Sequence, residues 1–175
     1  VLGPESRFEI DLNYLWRSPL AGIETRPLWQ PGELDVPHVL TLSLCELCVG
    51  KFLAFLDRTA PRDAYDIGNV SNLAEDVIQT HLFRGLLIAF SASLPHPLNA
   101  YNRAHLESRL PRGRIDEQLV PMLALGDTID SDTLFERAWN VVKPFVELTG
   151  EESEYVAEIA RGRRHPSLSL SPLGE

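Results

Sequence analysis

The first patterned segment of the chain, Arg7–Trp16, alternates between apolar and polar residues. A period of two predicts a strand with one apolar and one polar face, and Asp11 falls on the polar face. Four prolines then interrupt residues 17–37. That stretch is predicted to be a loop with at most short extended pieces. Residues 38–44 are predicted to form a second strand or the lead-in to a helix.

From Leu44 to Arg58 the apolar residues recur every three or four positions, which predicts a helix. Pro61 suits the first turn of a next helix. The remaining predicted helices are Arg62–Leu73, Leu73–Leu94, Asn102–Arg114 ending in a basic turn, Ile115–Leu125 with an internal proline, Asp130–Gly150 and Glu151–Gly162. The predicted class is therefore α+β, with a strand-containing part (residues 1–44), a helical body (45–165) and a tail (166–175).

Charge and hydropathy narrow the classes of function. The formal net charge of −9 argues against wholesale coating of nucleic acid or of an anionic membrane. No apolar run reaches the roughly 20 residues that span a bilayer, and no secretion signal is visible. The chain begins at Val1 and holds one methionine, Met122, so we expect it to be part of a longer protein.

Two cysteines, Cys45 and Cys48, lie one helical turn apart. They could form a redox pair or half of a zinc site, but no second ligand pair with suitable spacing accompanies them. The alternative is that both pack as small apolar residues in a buried helix. We predict buried, reduced and metal-free thiols, which fit a cytoplasmic location.

The most unusual charges lie in the segment KFLAFLDRTAPRDAYDI, which begins at Lys51. Lys51 and Arg58 share one side of the predicted helix, whereas Arg62 and Asp66 are spaced as an i,i+4 pair. A lysine among apolar residues is costly unless it is paired or extends outward. The charges could form a structural ion-pair network between two helices. They could also form a site for a metal-bound triphosphate, because Mg²⁺ prefers carboxylates whereas lysine and arginine neutralise phosphate.

This segment resembles the Lys-Leu-x-Ala-x-x-x-Arg-x-x-x-Arg-Asp-x-x-Asp motif of the AbiEii/AbiGii toxin family. These are nucleotidyltransferase-like proteins of bacterial type IV toxin–antitoxin and abortive-infection systems. The matching positions are Lys51, Ala54, Arg58, Arg62, Asp63, Tyr65 and Asp66. The resemblance covers roughly residues 7–70, and Gly50 stands where the family commonly has an acidic residue.

The resemblance implies transfer of a nucleotide from an NTP, with Mg²⁺, to an acceptor such as tRNA, and a cognate antitoxin as protein partner. Lys51 and Arg58 are expected to bind the triphosphate. Asp63 or Asp66 would be the base or an orienting group, and Asp11 the third carboxylate and metal ligand. The implied supporting residues are Arg62 and Tyr65. We predict that Arg62 is partly buried and paired with a carboxylate. We also predict that one concave surface carries Asp11, Lys51, Arg58, Asp63 and Asp66.

One part of the family pattern is missing from the sequence. The family carries a Gly-Gly or Gly-Ser turn followed by Asp-x-Asp upstream of the strand, and VLGPES is not that motif. The later pair, Asp130 and Asp132, starts a predicted helix, where aspartate is an ordinary N-cap. We therefore expect this chain to be inactive alone. The alternative function is a non-catalytic helical interaction module whose charges form only a structural network.

Overall fold

The computed structural model describes residues 19–28, 35–110, 112–123 and 129–162. These residues form two strands followed by helices, which confirms the α+β class. The predicted strand Arg7–Trp16, which contains Asp11, lies outside the described residues. The chain divides into two compact units, Val1–Ser43 and Leu44–Glu175. The division into residues 1–44, 45–165 and 166–175 remains a prediction.

The first unit contains an antiparallel pair of strands, β1 (Ile23–Pro27) and β2 (His38–Leu42). Ile23 lies opposite Leu42, and Pro27 lies opposite His38. The region predicted as a loop thus contains one short strand, and residues 38–42 are a strand rather than a helix lead-in. Gly22 has a φ of +88°, a conformation that glycine adopts at no steric cost, and the strand pair begins just after it.

The second unit is helical. Its α-helices are α1 (Leu44–Arg58), α2 (Pro61–Ile78), α3 (His81–Phe90), α4 (Arg103–Ser108), α5 (Arg112–Gln118), α6 (Ser131–Val146) and α7 (Gly150–Ala160). Short 3₁₀ turns lie at Ser91–Ser93, Leu98–Ala100 and Val120–Met122. Among the described residues, no helix combines the length and apolar character needed to cross a membrane.

The core of this unit joins α1, α3 and α6 through three phenylalanine rings. Phe52 and Phe83 are fully buried, and Phe145 completes the cluster. The ring centroids lie 5.0 to 5.2 Å apart in edge-to-face arrangements, the geometry that the ring quadrupoles favour. α2 packs against both α1 and α6. α2 is therefore the wall that these two helices share.

The single long helix predicted over residues 73–94 is wrong. α2 continues from Pro61 to Ile78, with a kink at Ala74, whose φ and ψ of −150° and 32° are not helical. A new helix then starts after Thr80, whose hydroxyl accepts a hydrogen bond from the backbone N–H of Phe83. The apolar period runs on across this break, so only the N-cap chemistry of Thr80 marks it.

Two further boundaries differ from the predictions. Arg112, predicted in a basic turn, begins α5, and the helix ends at Gln118 so that Pro121 lies in a 3₁₀ turn instead. The helix predicted to end at Gly150 ends at Val146. Gly150 is instead the first residue of α7, because Thr149 and Glu152 form a reciprocal capping box there.

One arginine fastens the C-terminal helices to α3. Arg84 contacts Glu152 through two hydrogen bonds of 2.5 and 2.8 Å. It also donates to the backbone carbonyls of Pro144 and Glu147, at 3.0 and 3.2 Å. A cation placed there satisfies carbonyls at the end of α6 and complements the negative end of its dipole.

Candidate active site

The turn between α1 and α2 sets the geometry of the charged segment. Thr59 follows the last residue of α1 with a φ of +48°, and Ala60 is the N-cap of α2. Pro61 then fits the first helical position, where its missing N–H costs no hydrogen bond. This two-residue connection makes α2 fold back so that its first turns lie against α1.

Arg58, at the end of α1, forms a salt bridge with Asp63 in the first turn of α2. Its Nε and Nη2 donate to the two carboxylate oxygens at 2.6 and 2.8 Å, which is a bidentate pair. The Asp63 side chain is 2% exposed, whereas that of Arg58 is 50% exposed. The hydrogen bond to Asp63 raises the pKa of Arg58, against an opposing effect of burial. The carboxylate is therefore enclosed while the guanidinium still reaches solvent.

Lys51 makes the second bridge between the same two helices. Its Nζ lies 2.6 Å from Asp66 Oδ2, and the two side chains are 56% and 37% exposed. The lysine that looked buried among apolar residues therefore extends outward and is paired. Gly50 beside it is exposed, and a Cβ built there would meet no atom within 4 Å. Packing therefore leaves room for the acidic residue that the family commonly has at this position.

The prediction that Arg62 is partly buried is wrong. Arg62 is exposed, and among the described residues no carboxylate pairs with it, because Asp66 is bonded to Lys51 instead. Tyr65 is 37% exposed.

Of the five charged residues expected to share one concave surface, four form two pairs between α1 and α2, Arg58 with Asp63 and Lys51 with Asp66. Asp11, the fifth, lies outside the described residues. Comparison with known protein families decides what these residues belong to. The family model described as nucleotidyl transferase AbiEii toxin, type IV TA system, matches residues 2–140. The chain belongs to the AbiEii family. No curated protein and no solved structure matched it.

The AbiEii match reaches well beyond residues 7–70, over which the sequence resembles the family. It includes the whole charged segment and most of α6, whereas α7 lies outside it. Membership implies a nucleotide substrate and an antitoxin partner, since the family is one of type IV toxins.

Mg²⁺ is a cofactor that the AbiEii resemblance implies, and the described residues do not by themselves provide its site. Within the described part of the chain, no group of three or more His, Cys, Asp or Glu side chains could hold a metal ion. Asp63 is enclosed and already holds a guanidinium. Asp66 is accessible, but it is a single carboxylate whose partner is Lys51. Proteins usually hold Mg²⁺ with one or two carboxylates together with substrate phosphates and water, and a single paired carboxylate supplies only part of that set.

A groove on the other flank of α2 was not anticipated. It lies between α2 and α6, has a volume of about 260 Å³, and is within the matched region. Its lining includes Tyr65, Gly68, Asn69, Asp130, Thr133 and Arg137. Asp130 is the N-cap of α6, as predicted, with its carboxylate accepting from Thr133. No local spacing could have revealed the groove, because its two sides are far apart in the sequence.

Cys45 and Cys48 are both buried and free, which confirms that they pack as apolar residues. Burial raises the pKa of the Cys45 thiol, and the neighbouring Cys48 and Glu46 add to the effect. A raised pKa lowers the thiolate fraction, so this thiol is poorly suited to redox chemistry.

Proposed function

We propose that this chain provides the triphosphate-binding part of an AbiEii nucleotidyltransferase, which transfers a nucleotide from an NTP to an acceptor such as the 3′ end of tRNA. The observation that carries the proposal is the pair of cation–carboxylate bridges between α1 and α2 within the matched region. Lys51 and Arg58, one from each bridge, are both at least half exposed. Both can therefore reach a phosphate from solvent.

Arg58 can hold phosphate without releasing Asp63. Only Nε and Nη2 donate to Asp63, so other N–H donors of the planar guanidinium remain available. Asp63 then acts as an orienting group, because two parallel hydrogen bonds fix the plane of the guanidinium. Lys51 has a flexible stem and three donors, and can turn from Asp66 to a phosphate oxygen.

Asp66 is the better candidate for a base. Its carboxylate is partly exposed, whereas that of Asp63 is enclosed and accepts two hydrogen bonds from Arg58. Once Lys51 turns to phosphate, Asp66 is free to accept the proton of an acceptor hydroxyl. Phosphoryl and nucleotidyl transfer depend mainly on positioning and on charge stabilisation, which these residues would supply.

The same proposal includes Mg²⁺, with Asp11 as a ligand, and a cytoplasmic location. We also propose that the 175 residues alone do not catalyse transfer. The Gly-Gly or Gly-Ser turn with Asp-x-Asp is absent from the sequence before Asp11.

A second function is favoured by one observation. Both cations already have carboxylate partners, as expected for a network that only fixes two helices in a protein-interaction module. In that case the charges affect stability alone.

The deciding experiment is transfer of labelled NTP to total tRNA, with Mg²⁺ and each of the four NTPs. It compares the chain alone with a chain extended by a family segment that carries the Gly-Ser turn and Asp-x-Asp. We expect label only with the extended chain, and none after Lys51→Ala or Asp66→Ala. Lys143→Ala is the control, since Lys143 is also an exposed lysine beside a carboxylate. No transfer by the extended chain, with normal nucleotide binding after Lys51→Ala, would favour the interaction module.

A further inference from the structure

We propose that the groove between α2 and α6 binds the base of the nucleotide whose phosphates lie at Lys51 and Arg58. This inference rests on the proposed function and adds the part of the site that holds the base. The groove is smaller than the ~300–1,000 Å³ typical of sites for whole small molecules. Its size therefore suits one portion of a ligand, such as a ring system.

The lining has the chemistry of a base site rather than of a phosphate site. Tyr65 offers a partly exposed aromatic ring, on which any base can stack. The Asn69 side-chain NH₂ donates to the Tyr65 backbone carbonyl at 2.9 Å, which holds the side chain in place. The side-chain oxygen of Asn69 can then accept a hydrogen bond from a ligand. Asp130 adds a carboxylate to the wall, and negative charge there disfavours phosphate.

Arg137 completes the lining from α6. It is exposed, and it forms no ion pair with any carboxylate in the described part of the chain. A planar guanidinium can stack on a base or donate to its carbonyl oxygen. Gly68 allows α6 to come close, because a Cβ there would lie 3.2 Å from Arg137 Cβ. A larger residue at position 68 would push Arg137 away from α2.

The groove and the ion pairs lie on neighbouring flanks of one helix. Tyr65 and Asp66 are consecutive, so their side chains diverge by roughly 100° around α2, one beside α6 and the other towards Lys51. Positions 100° apart on a helix of ~10 Å diameter are separated by about 8 Å, which an extended nucleoside triphosphate can span.

Arg62 lies on the exposed face between these flanks. It is three residues before Tyr65 and four before Asp66, and the described residues offer it no carboxylate partner. A cation in this position can contact the phosphates as they cross α2. The base site thereby accounts for an arginine that the ion-pair network leaves out.

Calorimetry on the full 175-residue chain tests the proposal with two probes, an NTP and inorganic tripolyphosphate, both supplied with Mg²⁺. The tightest-binding of the four NTPs serves as the first probe. Tyr65→Ala and Arg137→Ala should each weaken NTP binding by about fivefold or more, since stacking on one base is worth ~1–3 kcal/mol. Tripolyphosphate binding should not change. Tyr65→Phe, which keeps the ring, should restore NTP binding.

Lys51→Ala separates this inference from the function on which it rests, because it should weaken both probes. If Lys51→Ala weakens both and neither groove variant affects NTP binding, the base site is overturned and the triphosphate site stands. Equal loss of both probes in a groove variant also overturns the base site. If the unaltered chain binds neither probe, both proposals fail. Leu73→Ala, an exposed change elsewhere on α2, is the control, and Arg137→Ala decides the test if Tyr65→Ala does not fold.

Discussion

Arg58 holds Asp63 through two parallel hydrogen bonds, yet only one of the two side chains is enclosed. The carboxylate is withdrawn from water, and the guanidinium is half in solvent. An enclosed charge depends on its partner much more than an exposed charge does, because water can replace the partner only of the exposed one. Loss of Arg58 and loss of Asp63 are therefore expected to change the free energy of unfolding by different amounts.

Arg58→Ala should consequently destabilise the protein more than Asp63→Asn. The first change leaves an unpaired enclosed carboxylate and should cost about 3 kcal/mol, whereas the second leaves a hydrated guanidinium and should cost about 1 kcal/mol. Urea unfolding of both variants measures the difference. An equal or reversed order would contradict the claim that the enclosed carboxylate depends more on its partner.

Lys51→Ala should separate binding from stability. The Lys51–Asp66 pair is exposed, so its loss should change the free energy of unfolding by less than about 1 kcal/mol. Tripolyphosphate affinity should nevertheless fall by about tenfold, as a charge-assisted contact is lost. Lys143→Ala removes the same charge from a comparable pair and should leave affinity unchanged. Equal losses in the two variants would mean that only net charge matters.

The pH dependence of stability should include a contribution from Glu152. The hydrogen bond from Arg84 is the main reason that the pKa of Glu152 falls from 4.5 to about 2, with burial opposing it and Thr149 assisting. A pKa lowered by folding contributes stability that is present above pH 4.5 and is lost as the pH falls towards 2.

Glu152→Gln should therefore lower stability at pH 7 by about 1–3 kcal/mol and flatten its decline between pH 4.5 and 2. Thermal unfolding across this range, with Glu151→Gln as the adjacent control, makes the comparison. A decline of unchanged steepness in Glu152→Gln would rule out this carboxylate as its source.

Thr59→Gly should stabilise the protein. A β-branched residue at a φ of +48° is strained by about 1–2 kcal/mol, and glycine is not. The Thr59 hydroxyl is also buried without a hydrogen-bond partner among the described residues, so its removal relieves a second cost. Part of the gain is lost with the buried methyl group and with the greater freedom of the unfolded chain. We expect a net gain of about 0.5–1 kcal/mol in chemical unfolding, and Thr59→Ala, which keeps the strain, should not match it.

Local pattern was sufficient for some parts of this structure. The apolar period located α1 at both ends, and the order of the charges identified the family and the residues that form the two bridges. The same period failed at Thr80, since consecutive amphipathic helices can share one apolar face across a break. Caps rather than hydrophobic spacing determine such boundaries.

The contacts between helices could not be predicted from the sequence. The i,i+4 spacing suggested Arg62 as the partner of Asp66, but Lys51 reaches it across the helix interface. Which of the two cations pairs with Asp66 depends on how α1 crosses α2, and the turn at Thr59 between the two helices helps to set that angle. The groove beside Arg137 is a long-range feature of the same kind.

The two bridges also determine how a nucleotide would meet this surface. Each cation is matched by a carboxylate, so the four charges cancel and project little field into solvent. The net charge of −9 on the whole chain adds repulsion for a free polyanion. A nucleotide is thus not drawn in from a distance, and must exchange partners with ion pairs that already exist. Such a surface favours a ligand that arrives with its own counter-ion, because an exchange of partners then leaves no charge unpaired on either side.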